Sequence, residues 1–227
     1  MDSKQAIYKV IRPIIGRTYK PILERYLAKP RSYNYNGLSI IVQPSVFHPG
    51  FFFSTRLFLE FLKDKELKGK SLLEIGAGSG LISLYAAKEG ARVTAIDISN
   101  TAVENIKGNA SLNGLKLDIL YSDMFSNVSP QKFDIVIIAP PYYKKHPEGE
   151  AEQAWYCGEN GEYFSKLFSG LGAYIQPKSK VWMILSDDCD ITMIKTIAAI
   201  NGMKLDVVLE RKKYWEINYI FEISRSV

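Results

Sequence analysis

The chain has 227 residues, 47% hydrophobic and 23% charged, the balance of a soluble globule with apolar side chain enough for a sizeable core. Two cysteines and two histidines in total exclude a disulfide framework, a four-cysteine zinc site and a multi-histidine metal centre, so no metal is expected. No apolar run reaches the ~18 residues of a membrane span, and the charged start lacks the apolar stretch of a secretory signal, so a cytoplasmic enzyme or binding protein is expected.

The net charge of +5 is uneven: residues 1–70 carry 13 Lys and Arg against 5 Asp and Glu, whereas residues 71–227 carry 16 against 19. The basic charges are dispersed, so this first part is either a solvated surface or one that attracts RNA, acidic protein or anionic lipid. Within it, Ile7, Val10, Ile11, Ile14 and Ile15 mark one helical face, which Pro13 kinks or breaks. A second short helix is expected from Pro21 to Ala28. Residues 31–43 form an expected hairpin about Asn36-Gly37, and a helix follows from about Ser54 to Lys63, with Ser54 as its cap.

From residue 70 strands and helices alternate. Strands are expected at 71–75, 92–97, 117–121, 133–138 and 180–186, and helices near 80–89, 100–112, 160–175 and 189–201. Parallel strands need crossovers, so this pattern predicts an α/β, doubly wound, Rossmann-like domain over 54–227, preceded by a helical and hairpin extension over 1–53. Leu205–Glu210 and Trp215–Ser224, joined by an Arg211-Lys212-Lys213 turn, supply an antiparallel last hairpin and complete a seven-stranded mixed sheet.

The strongest local signal is LLEIGAGSG, residues 72–80: an apolar strand, then Gly76, Gly78 and Gly80, then a helix. Glycines permit a sharp turn and close approach of a ligand, and the helix start favours negative charge. Asp97 ends the next strand, where a carboxylate accepts ribose hydroxyls. A dinucleotide fingerprint would need a third glycine at position 81, which is Leu81, and Glu74 is a poor neighbour for a pyrophosphate but a good one for an ammonium. Residues 71–138 thus resemble class I S-adenosylmethionine-dependent methyltransferases. That resemblance places Glu74 near the methionine amino group, Gly76, Gly78 and Gly80 against the cofactor, and Asp97 on the ribose. It also places Ile98 over the adenine, with Asp123 and the Met124 backbone at its edge.

The second signal is DIVIIAPPYY, residues 134–143. In methyltransferases that modify glutamine, adenine or guanine amines, this place usually holds Asn-Pro-Pro-Tyr. The Asn and the following carbonyl hold the amine hydrogens, and the aromatic ring stacks on the planar group. Here Ala139 replaces the Asn, leaving the backbone of Ala139 and Pro140, the rigid Pro141 and the Tyr142 ring as the expected catalytic set. One lost positioning bond of about 1–3 kcal/mol slows transfer about ten- to a hundredfold.

AWYCGENGEYFSKLF, residues 154–168, is similar to the Ala-Trp-x-Gly-Gly-x-Asn-Gly stretch of HemK-type release-factor methyltransferases, with Cys157 in place of a glycine. The resemblance implies N-methylation of a macromolecule, either protein glutamine in a release-factor-like partner or a base of ribosomal or transfer RNA. A cofactor-binding module that has lost catalysis, with Ala139 as the lesion, and a small-molecule methyltransferase stay open. His48 is either a base at the cofactor mouth or structural, and Trp155 and Tyr156 line an acceptor pocket or pack. Ser54 and Thr55 touch cofactor or cap a helix, and Tyr33 and Tyr35 cover the cleft or decorate a strand.

Overall fold

The computed structural model describes residues 27–51, 53–213 and 216–226; the expected stripe at 7–15 and most of the helix from Pro21 lie outside these residues. Two strands, β1 (Arg31–Tyr35) and β2 (Leu38–Val42), form the hairpin, turned at Asn36 and Gly37 with φ of 47° and 73° as an Asn-Gly turn requires. Helix α1 (Phe53–Leu62) follows, with Ser54 inside its first turn rather than before it as a cap.

Then come β3 (Ser71–Ile75), α2 (Leu81–Lys88), β4 (Arg92–Asp97), α3 (Asn100–Leu112), β5 (Asp118–Tyr121) and β6 (Ile135–Ile138). The chain continues through α4 (Glu150–Gln153), α5 (Glu162–Leu171), β7 (Lys180–Ser186), α6 (Ile191–Ile200), β8 (Met203–Lys213) and β9 (Glu216–Arg225). The short α4 has no counterpart in the sequence pattern.

The expected seven-stranded mixed sheet is present in the order β5-β4-β3-β6-β7-β9-β8, parallel as far as β7 and antiparallel from there. Strand order reverses between β3 and β6, which opens a crevice at their carboxyl ends. Arg211, Lys212 and Lys213 do not form the turn expected of them. They continue β8, paired with Asn218, Ile217 and Glu216, because a bulge between Val207 and Leu209 resets the register and lets the ladder run on.

Side-chain alternation divides β3 between two cores. Leu73 and Ile75 pack with Phe164, Leu167 and Phe168 of α5 and Ile194 of α6. Leu72 packs on the other face with Leu57, Phe58 and Leu62 of α1, Leu81 and Leu84 of α2, and Leu38, Ile40 and Val42 of the hairpin. The hairpin therefore shares a core with the sheet.

Its outer edge is closed by an asparagine ladder on α3. Asn113 Oδ1 accepts from Ser39 N at 3.0 Å and its Nδ2 donates to Ser39 O at 2.7 Å. Asn109 Oδ1 accepts from Ile41 N at 2.8 Å while its Nδ2 donates to Ile41 O at 3.0 Å and to Ser79 O at 3.1 Å. Asn105 Oδ1 accepts from Gln43 N at 3.1 Å and its Nδ2 donates to Ile41 O at 2.6 Å. The spacings agree. Four helical residues advance about 6 Å and two strand residues about 6.6 Å, so an amide every fourth helical position meets every second residue of the strand edge.

Asn109 is 1% exposed, so Asn109→Ala strands backbone groups of Ile41 and Ser79 and is expected to cost about 2–3 kcal/mol in chemical denaturation. Asn113→Ala, at the exposed end of the ladder, is expected to cost under about 1 kcal/mol in the same measurement.

Candidate active site

A cleft of about 990 Å³ opens at the carboxyl ends of β3, β4 and β6. The glycine turn forms its floor. Gly76 and Ala77 donate to Ile96 O at 3.0 and 3.1 Å, and Gly76, Gly78 and Gly80 all have left-handed φ, of 74°, 55° and 77°. The three differ in what surrounds them. A Cβ on Gly76 would stand 3.2 Å from Ala139 O, and one on Gly78 would have only Phe47 Cβ nearby, at 3.9 Å. A Cβ on Gly80 would collide with Ile106 Cγ2 at 2.9 Å, and Gly80 is not on the cleft wall. Gly80 thus starts α2 and makes room for α3, whereas Gly76 and Gly78 face the cleft.

Asp97 closes this turn: its Oδ2 accepts from Gly78 N at 2.8 Å and its Oδ1 from Ser99 N at 2.9 Å. Asp97 also lines the cleft. Glu74 is 1% exposed on the α2 side of β3, where it accepts from Ser83 Oγ. Burial pushes its carboxyl up to about 8, more than the Ser83 bond lowers it.

The next wall is the turn after β5. Ser122 Oγ donates to Met124 O at 2.7 Å and accepts from Asn127 N at 3.1 Å, which holds Met124 at a left-handed φ of 53°. Asp123 lines the cleft and is paired with Lys166 of α5, and Ile98 lines it beside Asp97.

Ala139, Pro140, Pro141 and Tyr142 lie opposite, also on the cleft wall. Tyr142 is hydrogen-bonded to Ser54, and burial raises its phenol pKa beyond what that bond offsets. This partner accounts for Ser54 better than a cap does.

The two sequence motifs beyond β6 are stitched together by backbone. Tyr143 N donates to Trp155 O at 2.9 Å, Cys157 N to Tyr143 O at 2.9 Å and Gly158 N to Lys145 O at 3.1 Å. Trp155 then meets Phe47 with ring centroids 5.2 Å apart, so the loop after β2 and the segment after α4 form a shared aromatic wall.

His48 is not on the cleft wall. It is 4% exposed, accepts from Gly50 N through Nδ1 at 3.1 Å, and packs edge-on to Phe51 and Tyr33. Burial lowers its pKa, so the imidazole is neutral at pH 7, and with Nδ1 occupied by the Gly50 amide and the ring off the cleft wall it serves as a structural group. Tyr33 and Tyr35 likewise stand outside the cleft and pack against the hairpin's core. Phe47, Tyr163 and Lys166 are among the cleft residues that carried no expectation. Lys166 and Tyr163 share one face of α5 at a three-residue spacing, a signal that the aromatic and basic run YFSK held without pointing to a ligand.

Sheet order, glycine turn and acidic strand end together define the architecture of class I S-adenosylmethionine-dependent methyltransferases. A family model described as the methyltransferase small domain matches residues 37–155, and the chain belongs to that family.

A provisionally named protein N5-glutamine methyltransferase of Methanocaldococcus jannaschii is 40% identical over 107 residues, 47% of this chain and 52% of that one. A ribosomal protein L11 methyltransferase of Helicobacter hepaticus is 36% identical over 142 residues, 60% of this chain and 43% of that one. The chain thus spans about half the length of these curated relatives. A 16S rRNA N2 methyltransferase of T. thermophilus, solved with AdoMet and guanosine, shares the fold with a TM-score of 0.58 and 19% identity, covering 86% of this chain and 50% of that one.

The cleft fits the cofactor of this class. It has a floor bare of side chains at Gly76 and Gly78, a buried acid at Glu74, a carboxylate on its wall at Asp97, and an unpartnered buried hydroxyl at Tyr163.

Glu74 also makes folding pH-dependent. Its folded value of about 8 lies above the ordinary 4.5, so the folded state holds the proton more tightly and stability falls as pH rises between these values. Glu74→Gln removes that loss. The variant's melting temperature is expected to exceed the parent's by a margin that widens from pH 5 to pH 8 and then levels off; a constant margin would show that Glu74 titrates normally.

Proposed function

We propose that this chain transfers a methyl group from S-adenosylmethionine to a nitrogen atom of a protein, a glutamine side-chain amide foremost. The observation that carries the protein reading is the charge of the cleft. Among the described residues lining it, Asp97, Asp123, Glu162, Asp188 and Glu216 are acidic and Lys166 is the one Lys or Arg, while Glu74, raised to about 8 by burial, keeps its proton and adds no charge. Such a lining repels a phosphate backbone and tolerates a neutral amide.

Each group then has a role. Glu74 receives the methionine ammonium and gives up its proton on doing so, since a cation beside a buried carboxyl favours the ionised form. Gly76 and Gly78 let the cofactor lie against the backbone, and Asp97 accepts from the ribose hydroxyls. Ile98 covers the adenine, with Asp123 and the Met124 backbone at its edge. When bound, S-adenosylmethionine supplies a methyl carbon on a sulfonium, open to attack by a nitrogen lone pair.

The chain supplies alignment. Backbone carbonyls at Ala139 and Pro140 accept the amide hydrogens, the proline pair keeps that backbone rigid, and the Tyr142 ring stacks on the planar group. Tyr142 keeps its proton at neutral pH, given its raised pKa, so its part is the ring and not a phenolate.

A second reading, methylation of an RNA base, is favoured by the aromatic pair Phe47 and Trp155 on the cleft wall and by the excess of Lys and Arg in residues 1–70. Labelled S-adenosylmethionine presented with ribosomal protein and release-factor fractions, and separately with ribosomal and transfer RNA, separates the two. Label is expected in protein; label in RNA alone reverses the assignment. Label in neither, with turnover restored by Ala139→Asn, identifies a module that binds cofactor without catalysis. Gly78→Val places a side chain on the cleft floor and is expected to abolish calorimetric binding of S-adenosylhomocysteine; unchanged binding would refute the proposed seat.

A further inference from the structure

We propose that Tyr163 contacts the nucleoside part of the bound cofactor directly, its hydroxyl hydrogen-bonding a ribose hydroxyl held by Asp97. The inference rests on the cleft being an S-adenosylmethionine site and adds a residue that neither the glycine turn nor the Pro-Pro-Tyr segment supplies.

Four buried side-chain polar atoms among the described residues lack a hydrogen-bond partner: Tyr35 Oη, His48 Nε2, Tyr163 Oη and Asn218 Oδ1. Of their four residues only Tyr163 lines the cleft. Native structures leave few buried polar groups unmatched, so an unmatched one on a cleft-lining residue points to a partner that the cleft receives.

The position of Tyr163 is well determined by its surroundings. Gly161 starts α5 in a left-handed conformation, φ 74°, and a Cβ there would stand 2.8 Å from Ile197 Cδ1 and 2.9 Å from Met193 Cε. Tyr163 N donates to Cys157 O at 3.1 Å, and its ring lies edge-on to Phe164 at 5.3 Å. The first turn of α5 is thereby tied to the strip that carries Cys157 and to the core, which fixes the point from which the Tyr163 side chain projects.

Its location also selects the nucleoside as its partner. Tyr163 and Asp97 line the same cleft, and burial, followed by the negative charge of Asp97, raises the Tyr163 phenol above its usual value. Three residues on, Lys166 is paired with Asp123 at the adenine edge. One face of α5 therefore borders the cleft from Asp97 to Asp123, the stretch over which adenosine would lie. A phenol donor there complements hydroxyls whose own hydrogens are taken by Asp97.

The test is S-adenosylhomocysteine binding by calorimetry to the parent protein and to Tyr163→Phe, with melting of both in the absence of ligand. The variant is expected to bind about tenfold more weakly, the loss of one hydrogen bond, and to melt without ligand at the same or a higher temperature because an unmatched buried group has been removed. An analogue without ribose hydroxyls is expected to bind both forms equally. Equal binding of S-adenosylhomocysteine to both forms overturns the Tyr163 contact alone. A parent that does not bind it overturns the cofactor site and this contact together. Weaker binding accompanied by a lower ligand-free melting temperature assigns Tyr163 to packing and also overturns the contact.

Discussion

The asparagine ladder is the constraint on which the site depends. A two-stranded hairpin is marginal in water and leaves one edge of unpaired amides and carbonyls. Here Asn105, Asn109 and Asn113 stand in for a third strand, offering an acceptor and a donor at each step. Asn109 also donates to Ser79 O, so the same amide that holds β2 holds the glycine turn. Loss of the ladder would release the loop after β2, and with it the Phe47 and Phe51 side of the cleft. Packing alone would not specify that register, because a slip of two residues keeps Leu38, Ile40 and Val42 facing inward. The paired amides fix it.

The parts of this arrangement legible in the sequence were those whose cause is local. LLEIGAGSG combines strand, turn and helix start within nine residues, and its glycines are required by backbone angles that no neighbour has to explain. The alternation of strands and helices, and the antiparallel end of the sheet, follow from chain order in the same way. Features that depend on distant partners were hidden. Asn105, Asn109 and Asn113 read as one polar face of a helix, the ordinary signature of solvent, and only the strand edge lying against them gives them work. His48 looked available because it neighbours Pro49-Gly50, yet the Gly50 amide occupies its Nδ1. Arg211-Lys212-Lys213 looked like a turn because three charges interrupt an apolar run, but an edge strand carries charge readily, and the bulge at Val208 was invisible to composition.

The backbone stitching of residues 142–145 to 155–158 bears on the chemistry more than either motif does alone. Tyr143, Cys157 and Tyr163 are linked in sequence by Tyr143 O, Cys157 N, Cys157 O and Tyr163 N. The Pro-Pro-Tyr segment, on the proposed acceptor side, and the first turn of α5, on the proposed nucleoside side, are thus connected through one strip of main chain. Cys157 fits this strip because its side chain is turned into the core at 2% exposure, and burial raises its thiol pKa, so it is no nucleophile at neutral pH. Gly158, by contrast, suits glycine alone by its φ of 88°, a left-handed angle that strains any side chain, and a Cβ there would also displace the Glu162 carboxylate.

Against that rigid strip, the alanine at 139 has a specific consequence. An asparagine would select its acceptor by a hydrogen bond from the side chain, whereas Ala139 leaves main-chain carbonyls, and its own oxygen is turned toward Gly76 on the floor of the cleft. Alignment on the proposed acceptor then rests on shape: the Tyr142 ring, the fixed proline pair, and the aromatic wall of Phe47 and Trp155. Shape discriminates a planar group from a tetrahedral one well but separates two planar groups poorly, because each offers a face to stack on. Choice among planar acceptors therefore passes to what surrounds the reacting nitrogen. On the proposed reading the acidic lining performs that choice, admitting an uncharged amide on a protein more readily than a base followed by its phosphates.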